Sequence, residues 1–265
     1  MYRQMYYAAY SFASNKMINM KRLTNKVVFI TGGSRGIGAG IAKRAAAEGA
    51  DVVITYVNAA EKAKQVVDEI KKTGQQALAI AVDNASPDAI NEAIEKAVAT
   101  FGRIDVLVNN AGIYIGKPLA DYTLADFDST MSVNVRAVFL ASQKAAQYMK
   151  AGGRIITIGS NMAERVAFPT GTLYSMSKSA LIGLTKGLAR DLGAQGITVN
   201  MVQPGPVDTD MNPANGDHAD ILRNGMAIPK YGKPEDIAEL VAYLASEESR
   251  FMTGAMLTID GGFSI

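Results

Sequence analysis

The stretch Val27-Val28-Phe29-Ile30-Thr31-Gly32-Gly33-Ser34-Arg35-Gly36-Ile37-Gly38 decides the fold. A β-branched apolar run ends at a threonine, four glycines follow within seven residues, and a helical pattern then begins. Glycines let the backbone turn tightly and approach a pyrophosphate, whose charge is favoured by the helix N-terminus. The spacing is neither G-x-G-x-x-G nor a P-loop ending in Lys-Ser/Thr, and glycine is also the default residue of purely structural turns. Position raises the weight of the binding reading, because this turn opens a long alternation of strands and helices.

Strands are expected over Val27 to Thr31, Asp51 to Tyr56, Ala77 to Val82, Ile104 to Val108, Arg154 to Ile158, Thr198 to Val202 and Ala255 to Ile259. Between them lie helical patterns over Gly38 to Glu48, Ala59 to Thr73, Asp88 to Phe101, Val135 to Met149, Thr172 to Leu192 and Pro234 to Ala245. This alternation predicts an α/β, doubly wound Rossmann-type sandwich with a seven-stranded parallel sheet in a single domain, residues 25–265. The segment from Pro204 to Lys233 lacks periodicity and is rich in Pro, Gly, Asn and Asp, as functional or mobile segments often are.

Composition narrows the chemistry. The 265 residues carry 27 basic and 25 acidic side chains, a net charge of only +2, so nothing drives binding to a nucleic-acid backbone. With no cysteine and a single histidine, His218, thiol catalysis, Cys-ligated metals and His-rich sites are excluded. Asp208 and Asp210 lack a third ligand in register, so no metal is expected. No run approaches the roughly 20 apolar residues of a membrane span. The apolar stretch from Met5 to Ala13 lacks a convincing cleavage site, and a cytoplasmic protein is expected. Residues 1–24 read as an N-terminal extension, a disordered arm or the product of an upstream start codon, with Met17 or Met20 as the working start.

Three further motifs agree with the glycine turn. Asn109-Asn110-Ala111-Gly112 follows the fourth strand, Ser160 stands at the end of the fifth with Tyr174 and Lys178 in the next helix, and Pro204-Gly205-Pro206-Val207-Asp208-Thr209 follows the sixth. Together with T-G-x-x-x-G-x-G they resemble the short-chain dehydrogenase/reductase family over nearly the whole chain from Asn25 to Ile265. The resemblance implies that Thr31, Gly32, Ser34, Arg35, Gly36, Ile37 and Gly38 hold the cofactor, with Asn110, Ala111, Gly112, Pro204, Gly205, Val207 and Thr209 completing its site. It implies that Asp83, with Asn84, meets the adenine, although Asp83 could equally cap the helix beginning near Ser86 and Pro87.

The end of the second strand separates the two nicotinamide cofactors. An acid there grips a ribose 2′-hydroxyl. Here Tyr56, Val57 and Asn58 offer no carboxylate, whereas Arg35 inside the turn could neutralise a 2′-phosphate. NADP(H) is therefore the expected cofactor. The plain alternative for Arg35 is a solvated surface side chain.

Tyr174 and Lys178 stand four residues apart in one helix and so share a face. A nearby ammonium stabilises a phenolate and moves its pKa toward working pH. Tyr-x-x-x-Lys is common by itself; its value comes from following Ser160 by fourteen positions, at the strand ends where open α/β sheets bind ligands. The family resemblance makes Asn134, Ser160, Tyr174 and Lys178 a catalytic set. It implies that Tyr174 protonates a carbonyl oxygen as hydride arrives, Lys178 lowers the Tyr174 pKa and holds ribose hydroxyls, Ser160 bonds the substrate oxygen, and Asn134 holds a relay water. It also implies a homotetramer assembled through the helices bearing Asn134 and Tyr174 and the C-terminal strand.

The expected substrate is a small carbonyl compound or secondary alcohol. A 3-oxoacyl group on acyl carrier protein is the alternative substrate, but Ala151 and Gln195 stand where carrier-dependent relatives place basic residues. The segments Val202 to Asp210, Asn212 to Gly216 and Thr253 to Met256 also resemble a subgroup that includes cyclic-di-GMP-binding biofilm-dispersal proteins. That resemblance carries a second function class, a nucleotide-binding regulator on the same fold.

Overall fold

A parallel strand covered on both faces is written as a continuous apolar run, and each run read from the sequence forms a strand. In the computed structural model, which describes residues 21–265, these are β1 (Val27–Ile30), β2 (Asp51–Tyr56), β3 (Ala77–Ala81), β4 (Val106–Asn109), β5 (Arg154–Ile158), β6 (Thr198–Pro204) and β7 (Met256–Ile259). They form one seven-stranded sheet in the order β3-β2-β1-β4-β5-β6-β7, with every pairing parallel. The order reverses between β1 and β4, which opens a crevice at their C-terminal ends.

Alternate residues of each strand feed two cores. Val28 and Ile30 pack with Ile41 of α1 (Gly36–Ala47), Val66 of α2 (Ala60–Lys71) and Ile237 of α8 (Pro234–Ala245). Val27 and Phe29 face the other way, onto Ile94 of α3 (Pro87–Phe101), Ala141 of α5 (Ala137–Ala146) and Leu192 of α6 (Thr172–Gly193). Among the described residues, no helix is long and apolar enough to cross a membrane.

Several boundaries differ from the sequence reading. Helix α1 starts at Gly36, two residues before the expected Gly38, and β6 continues through Pro204. The helix expected from Val135 is preceded by α4 (Leu124–Met131), which passes through one π turn, Ser132–Arg136, into α5. A capping box between Thr123 and Asp126 starts α4, while its Leu124 and Phe127 stay exposed, so no core-facing stripe marks it. The segment 204–233 is less irregular than expected. It contains α7 (Ala219–Asn224), a parallel bridge from Val207 to Gly232 and a bond from Tyr231 Oη to Asn212 Oδ1 at 3.2 Å.

The packed body also reaches back past the expected boundary at Asn25. Leu23 is buried in the α1/α8 core, and Arg22 Nη2 donates to Glu48 Oε1 at 2.7 Å. Residues 1–20, with most of the expected extension, lie outside the described residues.

Candidate active site

Two motifs far apart in sequence hold each other at the crevice. Thr31 Oγ1 accepts from the backbone N–H groups of Asn110 and Ala111 at 2.9 and 3.0 Å, and Asn110 Nδ2 donates to the carbonyls of Thr31 and Gly32. Gly32 takes φ +68°, a left-handed conformation that favours glycine, and a Cβ on Gly38 would fall 2.4 Å from the Gly32 carbonyl oxygen. The N-cap of α1 is Arg35, whose side chain makes no capping bond, and the first turn holds no acid. The amides of this helix start, with Ser34 and Ile37 beside them, therefore suit an anion such as a pyrophosphate.

The rim is completed by three loops. Gly32 N–H donates to Thr55 Oγ1 at 3.1 Å, which ties the turn to the end of β2, where Tyr56 is half-buried and Asn58 exposed. The backbone of Gly205 is bonded to Ile259, Val207 is buried, and a Cβ on Gly36 would meet the Thr209 methyl at 3.3 Å. The loop after β6 thus closes against the glycine turn. Asn84 is buried; Asp83 is exposed, and its Oδ1 accepts from Ala85 N–H. Ser86, not Asp83, caps α3.

Arg35 is largely exposed, yet it is not free. Its Nη1 lies 3.4 Å from Asp210 Oδ2, and the same oxygen accepts from Lys62 Nζ at 2.9 Å.

The four expected catalytic side chains converge from three places, the π turn, the end of β5 and α6. Asn134 sits in the π turn, a frequent device for placing a functional side chain. Its Oδ1 accepts from Ile113 N–H at 2.9 Å, and its Nδ2 donates to the Ile113 carbonyl and to Ser177 Oγ, both at 3.0 Å. Ser177 in turn donates to the Tyr174 carbonyl at 2.7 Å. Asn134 therefore binds the N-N-A-G segment to the helix that carries Tyr174 and Lys178. A Cβ on Gly112 would lie 3.4 Å from Asn134 Oδ1 and 3.5 Å from Lys178 Nζ, so these two polar groups flank one glycine.

Lys178 is buried and donates to the Ile158 carbonyl at 2.9 Å, one acceptor for three ammonium donors. Burial pulls its pKa down to about 8. Ser160 Oγ accepts from Met162 N–H at 3.1 Å and stands beside the Tyr174 phenol.

The electrostatic expectation for Tyr174 needs correction. Its phenol is raised above the ordinary tyrosine value, first by burial and also by Tyr114, against a lowering hydrogen bond with Ser160. Lys178 Nζ lies 5.6 Å from the Tyr174 ring centre and makes its hydrogen bond to the Ile158 carbonyl rather than to the phenol. Tyr114 is a site residue that sequence reasoning passed over. Its ring meets Tyr174 edge-on with centroids 5.2 Å apart, and its position two residues beyond N-N-A-G was the available signal. His218 is exposed just before α7, outside this cluster.

A family model described as enoyl-(acyl carrier protein) reductase matches residues 32–264. A short-chain dehydrogenase of Burkholderia cenocepacia, solved in complex with NADP, superposes with a TM-score of 0.91 at 55% identity, covering 92% of this chain and 100% of the other. The chain belongs to the short-chain dehydrogenase/reductase family. A dehydrogenase/reductase of Sinorhizobium meliloti gives a TM-score of 0.93 at 56% identity, covering 95% of this chain and all of its own. The cyclic-di-GMP-binding biofilm dispersal mediator protein of Escherichia coli is 46% identical over 244 residues, 92% of this chain and 99% of that protein. The short-chain dehydrogenase/reductase frame accounts for the seven-stranded sheet and for the convergence of the four motifs at its crevice.

Proposed function

We propose that the protein is an NADP(H)-dependent reductase of a small carbonyl compound, or the corresponding secondary-alcohol dehydrogenase, with Tyr174 as general acid/base. The carrying observation is the Tyr174 phenol standing beside the Ser160 hydroxyl and one helical turn from the buried Lys178 ammonium. The residues present suit the cofactor. The uncapped start of α1 offers amides to a pyrophosphate, Lys178 has donors for a diol, and Arg35 and Lys62 together suit a 2′-phosphate better than a bare hydroxyl. The nicotinamide, when bound, supplies the hydride.

The protein's own groups do the rest. Tyr174 Oη gives its proton to the substrate oxygen, and Ser160 Oγ donates a hydrogen bond to that oxygen as its charge grows. Lys178 orients the cofactor ribose and, as an ammonium, favours the phenolate left behind. Asn134 is a positioning residue that holds α6 against the N-N-A-G segment. Tyr114 lines the entrance beside the phenol. An acyl-carrier-bound substrate is disfavoured, because exposed Ala151 and Gln195 offer no positive charge to an acidic partner. Exposed Phe127 and Phe139 on α4 and α5 fit assembly as a homotetramer through those helices.

The test is NADPH oxidation across a panel of ketones, aldehydes and 3-oxoacyl thioesters, where turnover of a small carbonyl compound is expected and none contradicts the reading. The similarity to a cyclic-di-GMP-binding relative supports a second reading, a nucleotide-responsive regulator. That reading expects no turnover in the panel and saturable cyclic-di-GMP binding that Tyr174→Phe leaves intact.

A further inference from the structure

Three charged groups from distant parts of the chain meet at the outer edge of the glycine turn. Arg35 comes from the turn itself, Lys62 from the first turn of α2, and Asp210 from the loop after β6. One carboxylate oxygen, Asp210 Oδ2, serves both cations, at 3.4 Å from Arg35 Nη1 and 2.9 Å from Lys62 Nζ. The two cations hold the Asp210 carboxyl below its ordinary pKa, Lys62 more strongly than Arg35.

We infer that Lys62 is a second 2′-phosphate ligand beside Arg35, and that Asp210 is a built-in competitor occupying their shared anion position until the phosphate displaces it. The inference rests on the NADP(H) reading above and names residues that decide how strongly NADP is preferred. A carboxylate bridging two cations marks where an external oxyanion would be drawn. A phosphate monoester brings greater negative charge and three acceptor oxygens to the same place, so it wins the exchange. All three side chains are more than half exposed, at 63% for Arg35, 53% for Lys62 and 54% for Asp210, so Asp210 is held weakly and can leave.

The exchange would also reach the loop. Asp210 directly follows Thr209, whose methyl would lie 3.3 Å from a Cβ placed on Gly36 of the glycine turn, and Asp208 Oδ1 accepts from Ala214 N–H at 2.9 Å. Releasing Asp210 loosens one of the ties between this loop and the cofactor edge.

The test is calorimetric titration of the whole protein at low ionic strength with 2′,5′-ADP and with 5′-ADP, which differ only in the 2′-phosphate. Asp210→Asn is expected to bind 2′,5′-ADP about two- to fivefold more tightly, the range of an exposed ion pair, and 5′-ADP unchanged. Lys62→Gln is expected to weaken 2′,5′-ADP about three- to tenfold and spare 5′-ADP. Unchanged or weaker 2′,5′-ADP binding in Asp210→Asn overturns the competitor role, and equal losses for both probes in Lys62→Gln overturn the ligand role. A different result, equal binding of the two probes by the unmodified protein, would instead overturn the NADP preference on which the inference rests.

Discussion

The two sides of the crevice are built by different physics. On the inner side, between β4, β5 and α6, Asn134, Ser177 and Lys178 are buried and joined to backbone groups, and Asn134 to Ser177, by bonds of 2.7 to 3.0 Å. On the outer side, Arg35, Lys62 and Asp210 meet in solvent through ion pairs of 2.9 to 3.4 Å. Buried polar groups are costly to unpair, while exposed ion pairs are screened and contribute little. The inner side is therefore built to hold its side chains in one geometry, and the outer side is built to let its partners rearrange.

Removing one residue from each side should cost the protein very different amounts of stability. Asn134→Ala deletes three bonds and strands the Ile113 amide and its carbonyl, so a loss of about 2–4 kcal/mol in urea unfolding is expected. Asp210→Ala should change stability by less than about 0.5 kcal/mol. Equal losses would contradict the division.

Lys178 sharpens it. Its pKa of about 8 lies below the ordinary 10.5, so the folded state binds fewer protons than the unfolded state between those values. Stability of the unmodified protein should therefore rise as pH increases from about 8 to 10.5. Lys178→Met should abolish that rise and gain about 1–3 kcal/mol at pH 7, while losing cofactor affinity. A destabilised Met variant in thermal unfolding would show that the buried ammonium is better compensated than its single carbonyl bond implies.

A more modest loss than that of Asn134→Ala is expected away from the crevice. Burial works to raise the Glu48 carboxyl, but Arg22 and Arg44 hold it down to about 2. Its contribution is present above the ordinary value of 4.5 and is lost as pH falls from 4.5 toward 2. Glu48→Gln should cost about 1–2 kcal/mol at pH 7 and flatten the acid limb of the stability profile, measured by urea midpoints from pH 7 to 3.

The inner side was largely legible in the sequence. Strands buried on both faces leave β-branched runs that length and flanking glycines identify, as in Val27–Ile30. Tyr174 and Lys178 could be paired by their spacing on one helix face and Ser160 by its place at a strand end, whereas Thr31 and Asn110 came with the family resemblance. What stayed hidden depends on meetings in space. Helix α4 carries its leucine and phenylalanine outward and so lacks a core stripe. Lys62 and Asp210 stand 148 positions apart, and no periodicity connects them to Arg35. The raised Tyr174 pKa follows from burial, which outweighs the hydrogen bond with Ser160 and which the i,i+4 spacing to Lys178 does not reveal.

The proposed mechanism stands or falls on whether the Tyr174 hydroxyl delivers the proton. Tyr174→Phe keeps the ring, its edge-on contact with Tyr114 and nearly all the packing, and removes only that hydroxyl. The decisive measurement is steady-state NADPH oxidation by Tyr174→Phe on the best substrate of the panel, paired with NADPH binding by fluorescence titration. The expected result is a fall in turnover of roughly 10²-fold or more with binding changed little, since the glycine turn and not the phenol is proposed to hold the pyrophosphate. Turnover within a few-fold of the unmodified protein would contradict it.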